Sequence, residues 1–134
     1  ESHKVKFLDN NYSILEFEFD FSSYILNLTN LTINKQMPSQ KGSLLVRGLR
    51  MPNGTTKTAY VDRIRKKMSD VCVKDRQITS LNEISPKCNK KNEVKVNCNF
   101  IRFFKPKIPY RCTYNSTSNK FKVEGLNHSG IVQV

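Results

Sequence analysis

The sequence predicts an all-β fold, a sandwich or barrel of short antiparallel strands. Segments in which apolar and polar residues alternate recur along the chain, and turn-forming Gly, Pro, Asn and Asp residues separate them. No segment of ordinary helix length carries the 3.6-residue apolar period of an amphipathic helix. The 134 residues fit one domain, and the hydrophobic fraction of 37% is low for a core without further support. We therefore expect a single domain over residues 1–134 that covalent links reinforce.

The clearest strand signal lies at residues 14–22. Four apolar side chains alternate there with acidic or small polar ones, and they are Leu15, Phe17, Phe19 and Phe21. A period of two places one set on each face of a strand, so the pattern predicts a buried aromatic face and an exposed acidic face. We expect the segment 1–35 either to pair within its own domain or to complete the sheet of a neighbouring subunit.

The other elements follow from similar patterns. Asn53-Gly54 is a hairpin signal, and a change of apolar phase near Thr29–Asn30 predicts a bulge or turn inside a strand-like segment at residues 24–33. One helical turn is predicted within residues 78–84. Further strands are predicted at residues 44–49, 56–64, 71–73, 93–98, 100–104, 110–114, 120–124 and 131–134.

Four cysteines, an even number, predict two disulfides, and they are Cys72, Cys88, Cys98 and Cys112. Their spacing contains no Cys-x-x-Cys pair, so we expect no structural zinc site and no other bound metal. Four cysteines can pair in three ways, and the spacing does not choose among these pairings. We also expect no cofactor.

Six Asn-x-Ser/Thr sequons without an intervening proline are candidate sites for N-linked glycans, at Asn11, Asn27, Asn30, Asn53, Asn115 and Asn127. Together with the paired cysteines, they predict an extracellular or cell-surface glycoprotein. The chain shows no signal peptide, and none of its apolar runs approaches the roughly 20 residues that cross a bilayer. We therefore expect a processed form without a membrane span.

The net charge of +12 is unevenly distributed. Residues 1–40 carry three basic and five acidic residues, a net charge of −2, and the remainder carries +14. One basic group is interleaved with Phe and Tyr residues, which is typical of surfaces that bind polyanions, and its members are Arg102, Lys105, Lys107 and Arg111. The competing interpretation is that the aromatic residues belong to the core and the cations keep the protein soluble.

The sequence does not predict an enzyme. It contains no Gly-rich phosphate loop, no Gly-x-Ser-x-Gly and no His-Glu-x-x-His. A small basic chain with two histidines, His3 and His128, is similar in composition to pancreatic-type ribonucleases, but the Cys-Lys-x-x-Asn-Thr-Phe signature of that family is absent. We expect a non-catalytic protein.

Five runs of residues resemble a small four-cysteine, β-rich module of archaeal cell-surface proteins: 60–63, 71–75, 83–89, 110–113 and 123–130. The cysteine spacing and the Gly-Leu-x-His-Ser-Gly run at residues 125–130 are the specific parts of the resemblance, which covers about residues 56–132. It implies an Ig-like β-sandwich without catalytic activity. It also implies the pairs Cys72–Cys88 and Cys98–Cys112, each of which closes a short loop that contributes about 3 kcal/mol.

These observations predict a structural subunit of an extracellular assembly, such as a filament, a pilus-like fibre or a surface layer. Copies would join through the N-terminal strand, and its acidic face would be drawn to the basic body of the next copy. The expected partners are copies of the chain itself and N-linked glycans. The alternative is a secreted module that binds anionic glycans or other acidic polymers through a basic and aromatic surface.

Overall fold

A computed structural model describes residues 1–35, 41–98 and 108–134. Their secondary structure consists of ten strands and one 3-10 turn at Leu81–Glu83. The strands are β1 (Ser2–Asp9), β2 (Tyr12–Asp20), β3 (Thr32–Asn34), β4 (Ser43–Arg47), β5 (Lys57–Asp62), β6 (Asp70–Lys74), β7 (Glu93–Asn97), β8 (Arg111–Asn115), β9 (Lys120–Leu126) and β10 (Ser129–Gln133).

The strands form two five-stranded antiparallel sheets. The first has the order β1-β2-β5-β9-β8, and the second has the order β3-β4-β10-β6-β7. The main apolar cluster draws buried side chains from both sheets, including Leu15, Val61 and Phe121 from the first and Leu44 and Ile131 from the second. The all-β sandwich predicted from the sequence is therefore confirmed.

The second sheet is covered on its other face as well. The segment 75–92 packs there, and Ile78 and Leu81 join Leu45, Cys72 and Val132 in a second apolar cluster. This cover explains why β4 is a continuous buried apolar run, since a strand buried on both faces loses the alternation that marks a half-exposed strand. The 3-10 turn in this segment lies inside the predicted helical turn, and a capping box between Ser80 and Glu83 fixes its start.

The N-terminal hairpin is a feature that the sequence only partly revealed. β1 pairs with β2 along its whole length, and Lys4 and Lys6 lie directly opposite Glu18 and Glu16. The acidic face of β2 therefore meets cations of its own chain. The alternation in β1 comprises only two half-buried apolar residues, Val5 and Phe7, which is too short a pattern to predict a strand.

Two predictions about the end of this hairpin are wrong. β2 ends at Asp20, so Phe21 lies outside the strand and is 51% exposed. The carboxylate of Asp20 accepts hydrogen bonds from the backbone N–H and hydroxyl of Ser22 and from the hydroxyl of Ser23, which folds the chain into a turn. The strand-like segment 24–33 is also absent apart from its last two residues, because only Thr32–Asn34 pairs with β4. The turn predicted near Thr29–Asn30 is present, closed by a hydrogen bond from the backbone N–H of Leu31 to the backbone oxygen of Leu28.

Both disulfides implied by the resemblance are present. Cys72 bonds Cys88, which ties the covering segment 75–92 to β6. Cys98, just after β7, bonds Cys112 in β8, so this bond joins an edge of one sheet to an edge of the other. Each bond closes a loop of about 15 residues, for which loop entropy gives about 3 kcal/mol of stabilisation.

A buried glutamine holds the loop between β5 and β6. Gln133 is fully buried at the end of β10. Its Oε1 accepts hydrogen bonds from the backbone N–H groups of Gly42, Ile64 and Arg65, and its Nε2 donates to the backbone oxygens of Arg65 and Met68. One side chain thus supplies the partners for five main-chain groups of two loops.

Charged residues mark the sheet edges. β1 presents Lys4 and Lys6, β7 presents Lys95 and β8 presents Arg111, all exposed, and the edge strand β3 has only three residues. Short edge strands and charged side chains on them hinder non-specific strand pairing with another chain. Within the part of the chain that the structure describes, no helix is long and apolar enough to cross a membrane.

Candidate functional site

A wide cleft of about 1210 Å³ opens at one end of the sandwich. It lies between the loop from β4 to β5, the segment after β6, the turn between β9 and β10, and the start of β3. The lining side chains that matter for its chemistry are Arg47, Arg50, Lys57, Asp75, Asn127 and His128. Loops at the end of a β-sandwich are a common place for binding sites, because a rigid scaffold holds them in position.

Lys57 is the unusual residue of this cleft. In β5 the residues that point inward are Lys57, Ala59 and Val61, so the lysine occupies a core position at the mouth of the sandwich. It is only 3% exposed, and its ammonium group has no hydrogen-bond or ion-pair partner within residues 1–35, 41–98 and 108–134. Burial lowers the pKa of Lys57 to about 8, although the more distant charge of Asp75 acts in the opposite direction.

Asp75 organises the wall next to this lysine. Its carboxylate accepts hydrogen bonds from the backbone N–H groups of Asn127 and His128 and from the hydroxyl of Tyr110, the last at 3.0 Å. Burial and the negative charge of Asp75 raise the pKa of Tyr110, so that hydroxyl remains a donor. These hydrogen bonds show that the Asp75 carboxylate stabilises the β9–β10 turn.

Two glycines allow this turn to form. Gly125 has φ = +92°, and a side chain there would meet the backbone oxygen of Pro109 at 2.4 Å. It is the extra residue of a bulge, since Lys57 pairs with Leu126 and Thr58 pairs with Glu124. At Gly130, a Cβ atom would lie 2.7 Å from Ile78 Cδ1. The two glycines of the Gly-Leu-x-His-Ser-Gly run are therefore explained by the close packing at the positions they occupy.

The charged side chains that line the cleft are three cations, Arg47, Arg50 and Lys57, and one anion, Asp75, a net charge of +2. Both arginines are exposed, and their guanidinium groups are suited to carboxylate, sulfate or phosphate. The arrangement can therefore hold an anionic group at its buried end and further anionic groups towards solvent.

Only one of the four residues predicted to form a basic and aromatic surface belongs to the described part of the chain. Arg102, Lys105 and Lys107 fall outside the described residues. Arg111 is exposed on the edge strand β8 and does not line the cleft. A polyanion site at these four residues stays a prediction.

All six sequon asparagines are exposed. Asn30, Asn53 and Asn127 line the cleft. Asn11 and Asn115 lie at the opposite end of the sandwich, in the β1–β2 turn and at the end of β8. Three sequons therefore lie at the rim of the cleft and two at the opposite end, and Asn27, between β2 and β3, is not among the residues that line the cleft.

Three of the four predicted assembly residues, Leu15, Phe17 and Phe19, are buried in the core of their own chain. Their strand, β2, pairs with β1 on one side and with β5 on the other. The two histidines lie on different elements, His3 on β1 beside Phe21 and His128 in the cleft.

Cys72, Cys88 and Glu93 come together as a possible ligand cluster, but the two sulfurs form a disulfide and are not free to bind metal. Burial acts to raise the pKa of Glu93. Hydrogen bonds from the hydroxyl and backbone N–H of Ser85, the backbone N–H of Lys90 and the ammonium of Lys74 outweigh it and lower this pKa to about 2. Glu93 is therefore a structural anion.

Comparison of the chain with protein-family models, with curated proteins and with solved structures finds no match in any of the three. The resemblance to an archaeal surface module accordingly stays a prediction, and any functional proposal must start from the geometry of the cleft.

Lys57, Arg47 and Arg50 were not predicted from the sequence as site residues. The alternation in β5 did contain a signal for the first of these, because Lys57 falls in phase with Ala59 and Val61. A lysine in the apolar phase of a strand is unusual, because burying a charge is unfavourable unless a partner compensates it.

Proposed function

We propose that this protein is an extracellular, non-catalytic binding module that holds an anionic glycan or envelope polymer in the cleft at the end of its sandwich. The observation that supports this most is Lys57, a residue only 3% exposed that lines an open, positively charged cleft and whose ammonium has no hydrogen-bond or ion-pair partner among the described residues. Two disulfides and six exposed sequons fit an oxidising, extracellular setting.

Lys57 lowers the stability of the unliganded fold. Burying an unpaired charge is unfavourable, and stable proteins avoid it unless another gain offsets it. An incoming carboxylate or sulfate would supply the missing partner. Arg47 and Arg50, further out, would hold neighbouring acidic groups of the same polymer by charge-assisted hydrogen bonds.

Binding of a fluorescent heparin hexasaccharide to the protein without N-linked glycans tests this proposal. We expect saturable binding that weakens as salt rises, because released counterions drive the association of a polyanion with clustered cations. The double variant Arg47→Gln/Arg50→Gln should bind at least tenfold more weakly.

The matched control is Lys66→Gln/Lys67→Gln, which removes the same charge from exposed positions in the β5–β6 loop at the opposite end. Its affinity should equal that of the wild type. Equal losses in both double variants, or no binding at low salt, would contradict a site in the cleft.

A second candidate function is the structural subunit of a surface assembly. Two observations favour it. The N-terminal hairpin is joined to the rest of its sheet by only three residue pairs, from Leu15–Ala59 to Phe17–Lys57. The segment after it exposes four large apolar side chains, Phe21, Tyr24, Ile25 and Leu28, of which Ile25 is 95% exposed. Exchange of the hairpin between copies would break only these few strand pairs and would move Leu15, Phe17 and Phe19 from one core to the same place in another copy, and an exposed apolar patch is a typical contact surface.

Electron microscopy of the protein isolated from its source tests this candidate. Regular filaments or a lattice are expected, and Ile25→Asp should convert them to separate particles. Leu8→Asp is the control, because Leu8 is an exposed apolar residue near the opposite end of the hairpin. Separate particles in the wild type, or dispersal by both variants, would count against assembly through this segment.

A further inference from the structure

Three sequon asparagines surround the cleft from different sides. Asn30 belongs to the segment before β3, Asn53 to the loop between β4 and β5, and Asn127 to the turn between β9 and β10. All three are exposed, so a glycan on each would stand at the rim. Sequons scattered at random over the surface would not be expected to place half of their number on one concave site.

The main chain holds each of these positions in place. The backbone N–H of Asn127 donates to the Asp75 carboxylate. The turn that contains Asn53 is closed by a hydrogen bond of 3.1 Å from the backbone N–H of Thr55 to the backbone oxygen of Pro52. The backbone oxygen of Asn30 packs so closely on Gly48 that a Cβ atom there would lie 1.9 Å away. Glycans at these asparagines would start from fixed points beside the cleft.

A tethered glycan competes strongly for the space next to its attachment point. A group on a short flexible link has an effective concentration in the millimolar range at a nearby site. N-linked glycans are also bulky and well solvated, so they exclude a free polymer from the volume they sweep. Three of them around a cleft of about 1210 Å³ would leave little open entry.

We propose that N-linked glycans at Asn30, Asn53 and Asn127 control entry to the cleft, so that the glycosylated protein is the closed form of the binding module and loss of the rim glycans opens it. This inference rests on the proposed anion-binding function and adds the regulation of the same site. It assigns no entry-controlling role to the glycans of Asn11 and Asn115 at the opposite end.

The experiment compares three samples for binding of the heparin hexasaccharide. They are the glycoprotein from its source, the same protein after its glycans are removed under native conditions, and the triple variant Asn30→Gln/Asn53→Gln/Asn127→Gln made in the source organism. Glycopeptide mass spectrometry records which asparagines carry sugar. Removal of the glycans, by either route, should raise the affinity at least tenfold.

The control variant Ser13→Ala/Thr117→Ala removes the sequons of Asn11 and Asn115 and leaves the cleft unchanged. Its affinity should equal that of the native glycoprotein. Equal affinities with and without rim glycans, or rim asparagines that carry no sugar, would overturn the inference. In that case the proposed function stands if the deglycosylated protein binds and Arg47→Gln/Arg50→Gln weakens binding. If no form of the protein binds, the proposed function fails too.

Discussion

Replacing Lys57 with methionine is expected to stabilise the protein by about 2 kcal/mol at pH 7 and to weaken binding of the heparin hexasaccharide at least tenfold. Methionine has a similar length but no charge, so the cost of holding a poorly solvated ammonium at this position disappears. The same burial lowers the pKa of Lys57 from 10.5 to about 8. A residue that destabilises the fold while serving the site is characteristic of function.

The pH dependence of this effect has a definite sign. Below about pH 8 both the folded and the unfolded state carry the proton on Lys57, and the full cost is present. Between about pH 8 and 10.5 the unfolded state binds more protons than the folded state, so the stability of the wild type rises with pH. The advantage of Lys57→Met should therefore be constant at neutral pH and shrink through this window. Urea unfolding at a series of pH values measures it.

Lys120 offers the matched control. It is also a buried strand lysine, 8% exposed, but its ammonium lies 2.6 Å from the Asp62 carboxylate. Lys120→Met leaves Asp62 without this partner, so it should destabilise the protein and leave hexasaccharide binding unchanged. If Lys57→Met destabilises the protein as Lys120→Met does, Lys57 has a structural role and the energetic argument for the cleft is wrong.

Replacing Gln133 with leucine is expected to destabilise the protein by about 3–5 kcal/mol. Leucine has a similar volume, but it cannot replace any of the five hydrogen bonds that Gln133 makes to main-chain groups. A buried group left without a partner costs about 1–3 kcal/mol. The loop between β5 and β6 is partly exposed, so water recovers part of the loss.

Two measurements check this expectation. Urea unfolding gives the change in stability, and limited digestion with trypsin should cut Gln133→Leu rapidly between residues 63 and 67, a loop with four basic residues. The exposed Gln77 provides the control, because Gln77→Leu should change the stability by no more than about 0.5 kcal/mol. A small loss in Gln133→Leu, with the loop still protected, would show that other contacts hold it.

The sequence predicted the strands best where one face is buried and the other is not. β2 and β5 alternate clearly, because each separates a packed core from a more polar surface. The strand prediction for residues 24–33 was wrong because this segment does not lie between the core and a polar surface. Its leucines and isoleucines suggested a strand, but the turn at Asp20 takes the chain out of the sheet, and Ile25 points into solvent.

The cleft was beyond prediction because its residues come from four distant parts of the chain. Arg47 ends one strand, Lys57 begins another, Asp75 follows a third and Asn127 lies in a turn, so only the sheet order brings them together. The sequons were readable as a motif, but their division into rim and remote sites depends on which strand ends share one end of the sandwich.

The Cys98–Cys112 bond also determines how the molecule would respond to tension. Under a force applied to its two ends, the protein would lose its hydrogen-bonded strands first, while both disulfides survive. The disulfides close loops over sequence separations of 16 and 14 residues. These loops could not be stretched, so the extended chain would be shorter by roughly 100 Å. Because the second bond joins an edge of each sheet, the two halves of the sandwich would remain tethered at full stretch. When the force is removed, refolding would then begin with β7 and β8 already held next to each other.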